Sequence, residues 1–141
     1  ALAELRELAR GIHPAILTDQ GLRAAVEALA RRCPVPVELS IDPPQDIPSQ
    51  VEAASYYVIS EALTNTAKYA NAQTARVSVH RGDAQLHVEV ADDGRGGADR
   101  KLGSGLSGLA DRVSALGGCL RVVSPAGRGT TVTADLPIAE P

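Results

Sequence analysis

Apolar residues recur along this chain in two periods, one of three to four residues and one of two, and the changes between them mark out the elements. Leu2, Leu5, Ala9 and Ile12 form a short helical seam that Pro14 stops, resembling the tail of a coiled-coil or bundle helix. A second helix is predicted after Gly21, with Leu22, Val26, Leu29 and Ala30 inward and Pro34 closing it. The period then drops to two. Val35, Val37, Leu39 and Ile41 predict a strand over residues 35–41, and residues 42–48, with three prolines, a loop. Ser49-Gln50-Val51-Glu52 has capping-box spacing and predicts a long helix from Ser49 to about Ala70. Val77 and Val79, a turn at Gly82-Asp83, then Leu86, Val88 and Val90 predict a hairpin. Leu106, Leu109, Ala110, Val113 and Leu116 predict another amphipathic helix, ended by Gly117-Gly118. A last hairpin pairs residues 119–123 with 130–136. Helices and hairpins mixed in this order predict an α+β fold, a two-layer α/β sandwich on a mixed, mainly antiparallel sheet, preceded by a short helical tail.

Composition narrows the class. A chain of 141 residues sets a prior of one compact domain. With no Phe, Trp or Met and three Tyr, its core must be built from Val, Leu, Ile and Ala. The net charge of -3, without a basic block, argues against nucleic-acid and anionic-membrane partners. Cys33 and Cys119 have neither metal-ligand spacing nor a disulfide framework and are read as buried free cysteines. No apolar run approaches the ~18 residues of a membrane span and nothing reads as a signal peptide, so a cytoplasmic location is expected. The chain opens at Ala1 in mid-helix without a methionine, as a piece cut from a longer protein would.

Candidate chemistry begins on the long helix. Glu61, Asn65 and Lys68 stand at i, i+4 and i+7, within a narrow arc of one α-helical face, while Ile59, Leu63 and Ala67 take the opposite arc to pack on the sheet. A solvated polar stripe explains such a row as well. Asn is a mediocre interior helix residue, however, and Lys68 is one of only two lysines. Carboxylate, carboxamide and ammonium in one row also match what a metal-triphosphate needs.

Three glycine motifs follow. In Asp92-Asp93-Gly94-Arg95-Gly96-Gly97, Asp92 shares the parity of Leu86, Val88 and Val90 and should point inward, whereas Asp93 should point out. An inward carboxylate needs donors; an adenine amino group is one, and turn-closing backbone N–H groups are the alternative. Gly103-Ser104-Gly105-Leu106-Ser107-Gly108 contains G-x-G-x-x-G, but a dinucleotide-binding fold needs a strand directly before it and an acid about 20 residues on, and neither is present. What survives is the mechanism: glycines let backbone N–H groups approach phosphate at a helix N-terminus, under a short lid between Gly96 and Gly103. Gly127-Arg128-Gly129-Thr130 opens the last strand, and Thr130 shares parity with Val132, Ala134 and Leu136, so it should face the same interior as Asp92. A hairpin turn alone would account for the two glycines there.

Together these motifs resemble the boxes of sensor histidine kinases. Residues 61–70 look like the asparagine box, Asp92 to Gly96 like the first glycine box, residues 103–108 like the second and residues 127–130 like the last. The wording Glu-Ala-Leu-Thr-Asn, the short lid and Gly-Leu-Ser-Gly-Leu with Arg112 behind it resemble the nitrate-sensor and desaturase-sensor subfamily. So does the opening from Leu5-Arg6-Glu7-Leu8 through His13-Pro14 to Gly21-Leu22. The resemblance implies the Bergerat ATP-binding fold shared with DNA gyrase, Hsp90-type chaperones and MutL-type proteins. It divides the chain into the end of a dimerisation helix with its junction (1–20) and a catalytic ATP-binding domain (21–141). It implies ATP and Mg²⁺ as cofactors, with Asn65 on the metal and Lys68 on phosphate. Asp92 would bind the adenine amino group with Thr130 in support. Gly94, Gly96, Gly103, Gly105, Leu106 and Gly108 would shape pocket and lid, and Glu61 would act as base or metal-orienting residue. Tyr69 replaces the family's usual histidine, and the lid phenylalanine motif is missing.

The family's phosphoacceptor is a histidine followed by an acid on the dimerisation helix, and none of the three histidines fits. His13 precedes a proline, and His80 and His87 read as solvent-facing strand residues. The resemblance therefore implies transfer to a histidine on an upstream dimerisation domain, a homodimer in the full-length protein and a response regulator downstream. The chain alone would not autophosphorylate. An anti-sigma-factor-type serine kinase shares the boxes but not the helical junction. A non-catalytic nucleotide-sensing domain would have little use for an intact Glu61, Asn65, Lys68 and Asp92. A gyrase- or chaperone-like ATPase clamp needs a longer lid and a transducer domain.

Overall fold

The computed structural model describes residues 15–42, 47–97 and 104–138. The seam at Leu2–Ile12, His13-Pro14, Gly103 and most of the expected lid lie outside these. Helix α1 (Ala15–Arg32) is two helical segments joined at Gly21, whose φ of 85° and ψ of 173° break the ladder. Helix is thus present before Gly21 as well as after it, and Leu17 and Leu22, on either side of the break, are both buried in the core. Strand β1 (Val37–Ile41) starts two residues later than its alternation predicts, because Pro36 can give only its carbonyl to the ladder, to the N–H of Ala75. Helix α2 (Ser49–Asn65) begins where expected but without the capping box: Pro48 holds the N-cap position, with no side-chain cap hydrogen bond.

The hairpin forms β2 (Ala75–Arg81) and β3 (Gln85–Asp92); α3 (Ser104–Ala115) ends ahead of Gly117-Gly118; β4 (Cys119–Val123) and β5 (Thr130–Pro137) complete the sheet. The sheet order is β1-β2-β3-β5-β4, with β1 parallel to β2 and every other pair antiparallel. The three helices pack on one face. Its core is the aliphatic one the composition demands, with Val26, Ile59, Val77, Val88, Leu109 and Leu136 all below 2% exposed. Ala25, Ala54 and Ala62 let helix backbones come close, and Tyr57 is the largest fully buried side chain among the described residues. The other face of the sheet is polar. Cys119 sits exposed on the edge strand β4, and Cys33 is half-buried, so neither is the buried thiol expected. Cys119 lies opposite Asp135, on the sheet's polar side.

Candidate functional site

The sheet register brings the site together. Asp92 ends β3, paired on one side with Ala75 at the start of β2 and on the other with Thr130 at the start of β5. The C-terminal end of α2 lies over this end of the sheet, where the α-helix gives way to a π turn, Thr66–Ala70, ended by Asn71 in the left-handed conformation (φ 51°). More residues fit in each turn of a π-helix, so each advances less around the axis. The predicted arcs therefore hold only as far as Asn65. Ile59 and Leu63 are buried as expected, but Ala67 is exposed and Thr66, 3% exposed, takes the inward place. Glu61 and Asn65, both half-buried, share one face; Lys68, exposed, is carried on the π turn and is not on their continuous arc. Single π turns recur at functional sites.

The Asp92 carboxylate is fixed from three directions. Its Oδ1 accepts the backbone N–H of Gly94 at 2.9 Å and of Thr130 at 3.3 Å, and its Oδ2 accepts the Thr66 hydroxyl at 3.1 Å. The turn-closing role and the inward orientation are thus both present. An ionised carboxylate offers roughly four acceptor sites, so one remains on Oδ2 for an outside donor. Thr130 is half-buried and its Oγ1 lies 2.6 Å from Ser124 Oγ, a hydroxyl pair that holds Thr130 in place. Asp93 points out, as parity predicts. Its carboxylate accepts the N–H groups of Gln73 and Thr74 and the Thr74 hydroxyl, and the Thr74 and Gln73 backbone bonds hold its pKa below the usual carboxylate range. Asp93 ties the two strands together, while Asp92 keeps a free acceptor.

The first and last glycine loops interlock. Gly97 N–H donates to Ser124 O at 2.8 Å, and Gly127 N–H to Arg95 O at 2.6 Å. Gly96 (φ 67°) and Gly129 (φ 80°) have left-handed backbones pressed on other backbone, so that a Cβ would lie 2.1 Å from Pro125 O and 2.0 Å from Asp92 O respectively. The second glycine box differs. Gly105 and Leu106 fall in the first turn of α3, with only their backbone described. Gly108 is exposed, and a Cβ there would meet nothing within 4 Å. Among the described residues nothing requires a glycine at 108, and glycine costs a helix about 1 kcal/mol relative to alanine. Close approach by a ligand would explain it. We expect Gly108→Ala to raise the thermal midpoint by a few degrees while weakening nucleotide binding, which melting curves with and without ADP measure.

Sequence reasoning missed Thr66 and Ser124. Thr66 follows Asn65 directly, but α periodicity gives the inward place to Ala67. Ser124 opens the six-residue turn that leads to Thr130, with no local pattern to link them. A cleft of about 420 Å³ opens at the same end of the sheet, lined by residues of β1, β2 and β3 including Glu38, Arg76 and Asp92, and by Asp93 just beyond β3. Asn65, Gly96, Gly108 and Thr130 do not line it, so of the glycine boxes it touches only the start of the first, at Asp92 and Asp93.

The residues present suit Mg²⁺. The Asn65 amide is half-buried and makes no side-chain hydrogen bond among the described residues, and Glu61 shares its face. No three His, Cys, Asp or Glu side chains gather into an all-protein cage among the described residues. Mg²⁺ prefers this arrangement of one or two protein oxygens, completed by water and phosphate.

Residues 50–140 match the family of histidine kinase-, DNA gyrase B-, and HSP90-like ATPases. Sensor histidine kinase NarS of Mycobacterium tuberculosis (strain ATCC 25618 / H37Rv) is 36% identical over 98% of this chain and 34% of its own. Oxygen sensor histidine kinase NreB of Staphylococcus carnosus (strain TM300) is 29% identical over 97% of this chain and 42% of its own. The structure of the Erythrobacter litoralis EL346 blue-light activated histidine kinase superposes with a TM-score of 0.70 at 27% identity, over 84% of this chain and 41% of that one. The chain thus spans 34% and 42% of the lengths of these two curated relatives. No helix among the described residues is long and apolar enough to cross a membrane. With the family matched over more than half of its residues and kinase relatives aligned along nearly all of it, the chain belongs to the histidine kinase-, DNA gyrase B-, and HSP90-like ATPases, as an ATP-binding catalytic domain of the sensor histidine kinase kind.

Proposed function

We propose that this domain presents the γ-phosphoryl of Mg-ATP to a histidine on an upstream dimerisation domain, within a homodimeric kinase that then passes the phosphoryl group to a response regulator. The observation that carries the proposal is the Asp92 carboxylate, held by Gly94, Thr130 and Thr66 with one acceptor site left over. Asp92 accepts from the adenine amino group, and Thr130 supports the base through its hydroxyl. Backbone N–H groups at the start of α3 and in the glycine loops take the phosphates, with the helix dipole favouring their charge. Lys68, on its exposed π turn, neutralises phosphate. Asn65, oriented with help from Glu61, would hold Mg²⁺, which when bound neutralises charge on the phosphate oxygens. Phosphoryl transfer passes through a loose transition state, so positioning and charge neutralisation supply most of the catalysis. The junction that the sequence of residues 1–20 resembles would couple this domain to its dimerisation helix and favours a histidine acceptor over the serine of an anti-sigma-factor-type kinase.

The test is transfer from ATP to a separately supplied dimerisation domain carrying its histidine. We expect Asn65→Ala and Asn65→Asp to lower Mg²⁺-dependent transfer by at least about a hundredfold, the scale of one charge-stabilising contact. Binding of ADP without metal should fall far less. Unaltered transfer by either variant would remove Asn65 from its assigned role. Calorimetry showing no nucleotide affinity in the unmodified chain would end the proposal.

A further inference from the structure

The polar face of the sheet carries two histidines that nucleotide chemistry does not use. The turn after β2 closes with Gly82 N–H donating to Gln85 O at 2.8 Å. Counting back through Arg81↔Leu86, the alternation of an antiparallel ladder makes His80↔His87 a hydrogen-bonded pair, with Cα atoms ~5.5 Å apart and side chains on one face. Each ring has a carboxylate on its far side. His80 Nδ1 lies 3.3 Å from Asp42 Oδ2, at the end of β1, and His87 Nδ1 is hydrogen-bonded to Asp135 Oδ1 on β5. Both carboxylates are themselves held, Asp42 by the N–H of Arg81 at 3.2 Å and Asp135 by the Arg121 guanidinium at 3.2 Å.

Across the strands the order is therefore carboxylate, imidazole, imidazole, carboxylate. An Nδ1–H donated to the flanking carboxylate fixes the neutral tautomer with its lone pair on Nε2. With Nδ1 engaged by the flanking carboxylate, Nε2 is the ring nitrogen each histidine has left for a ligand, and the paired positions put both rings on one face. A carboxylate on the second nitrogen is the usual outer shell of a metal-bound histidine, orienting the ring and raising its basicity. Surface histidines need no such partner for solvation, and these are 48% and 46% exposed. We propose that His80 and His87 form a two-imidazole site for a divalent first-row transition ion of the Zn²⁺ class, with Asp42 and Asp135 as its positioning residues. Two Zn–N bonds of about 2.0–2.1 Å draw the Nε2 atoms to roughly 3.3 Å, within reach of side chains on paired positions. No third His, Cys, Asp or Glu converges among the described residues, so water or a partner's ligand completes the shell. His87 precedes Asp92 by five residues, about 17 Å along an antiparallel strand, which separates this site from the nucleotide.

The experiment is Zn²⁺ titration of the whole chain by calorimetry at pH 7.5, with Mg-ADP affinity measured on the same samples. One Zn²⁺ per chain is expected. His80→Gln and His87→Gln should each weaken it at least about tenfold, and Asp135→Asn by ~10–100-fold, the scale of an outer-shell partner. Cys119→Ser should leave Zn²⁺ unchanged, and all these variants should bind Mg-ADP as before. Zn²⁺ affinity indifferent to both histidine substitutions, or lost with Cys119, overturns the proposal. Loss of Mg-ADP binding in both histidine variants would overturn the separation of the two sites.

Discussion

Asp92→Asn is expected to abolish measurable ATP and ADP binding, a loss of at least about a hundredfold or ~2.7 kcal/mol, in a protein that melts within ~2 °C of the original. The geometry makes this a test of recognition instead of folding. The substituted carboxamide can keep its oxygen where Oδ1 stands, accepting from the N–H groups of Gly94 and Thr130 as before. Its NH₂ then replaces Oδ2 and faces the Thr66 hydroxyl. That hydroxyl already lies 3.0 Å from Ala62 O, so it can donate there and accept from the amide. Every internal hydrogen bond survives with one reversal. The adenine amino group, by contrast, would meet a donor where it needs an acceptor. Calorimetry and a melting curve on the same sample separate the outcomes. Undiminished ADP affinity would remove Asp92 from base recognition, whereas a large drop in melting temperature would show that its role is mainly structural.

How far this site is legible in the sequence depends on whether its geometry follows from a local period. Asp92 and Thr130 are legible because strand parity is a period of two that neighbouring valines report faithfully. Val88 and Val90 are buried, and Asp92 follows them to the same side. The same rule turns Asp93 outward. The arc of Glu61 and Asn65 is legible while the helix stays α. It fails at the π turn, where one register change puts Thr66 inside and Ala67 outside, and composition carries no mark of such a turn. The capping box at Ser49 matches in letters but loses its place to Pro48, whose φ of -54° and ψ of 139° already give the chain its entry angle. Cys119 escapes a reading by residue type because thiols are usually buried, whereas its alternation with buried Leu120 puts it on the other side, opposite Asp135. Ser124 depends on how the β4–β5 turn closes, and the carboxylates beside His80 and His87 on strand order, which no single segment encodes.

The interlocked glycine loops set the second large effect. Gly129→Ala should lower stability by more than ~3 kcal/mol and the thermal midpoint by about 10 °C, and should weaken ADP binding too. Two costs combine at this position. A left-handed φ of 80° is strained for any residue with a Cβ, by about 1–3 kcal/mol. The new methyl would also lie 2.0 Å from Asp92 O and 3.0 Å from Asp92 C, contacts with backbone that no side-chain rotation relieves. Either the end of β3 moves away or the start of β5 does. Both displace the Asp92 carboxylate from Thr130, although Gly129 itself need not touch the base. Gly127→Ala supplies the comparison. Its φ of 78° is equally left-handed, but a Cβ there meets nothing within 4 Å, so strain alone remains, about 1 kcal/mol. Melting both variants with and without ADP tests the difference. Equal losses would mean that backbone strain, and not the docking of one loop on the other, accounts for these glycines. A larger loss at Gly129, together with lower ADP affinity, would establish that the last glycine box acts by holding the base-reading carboxylate in place.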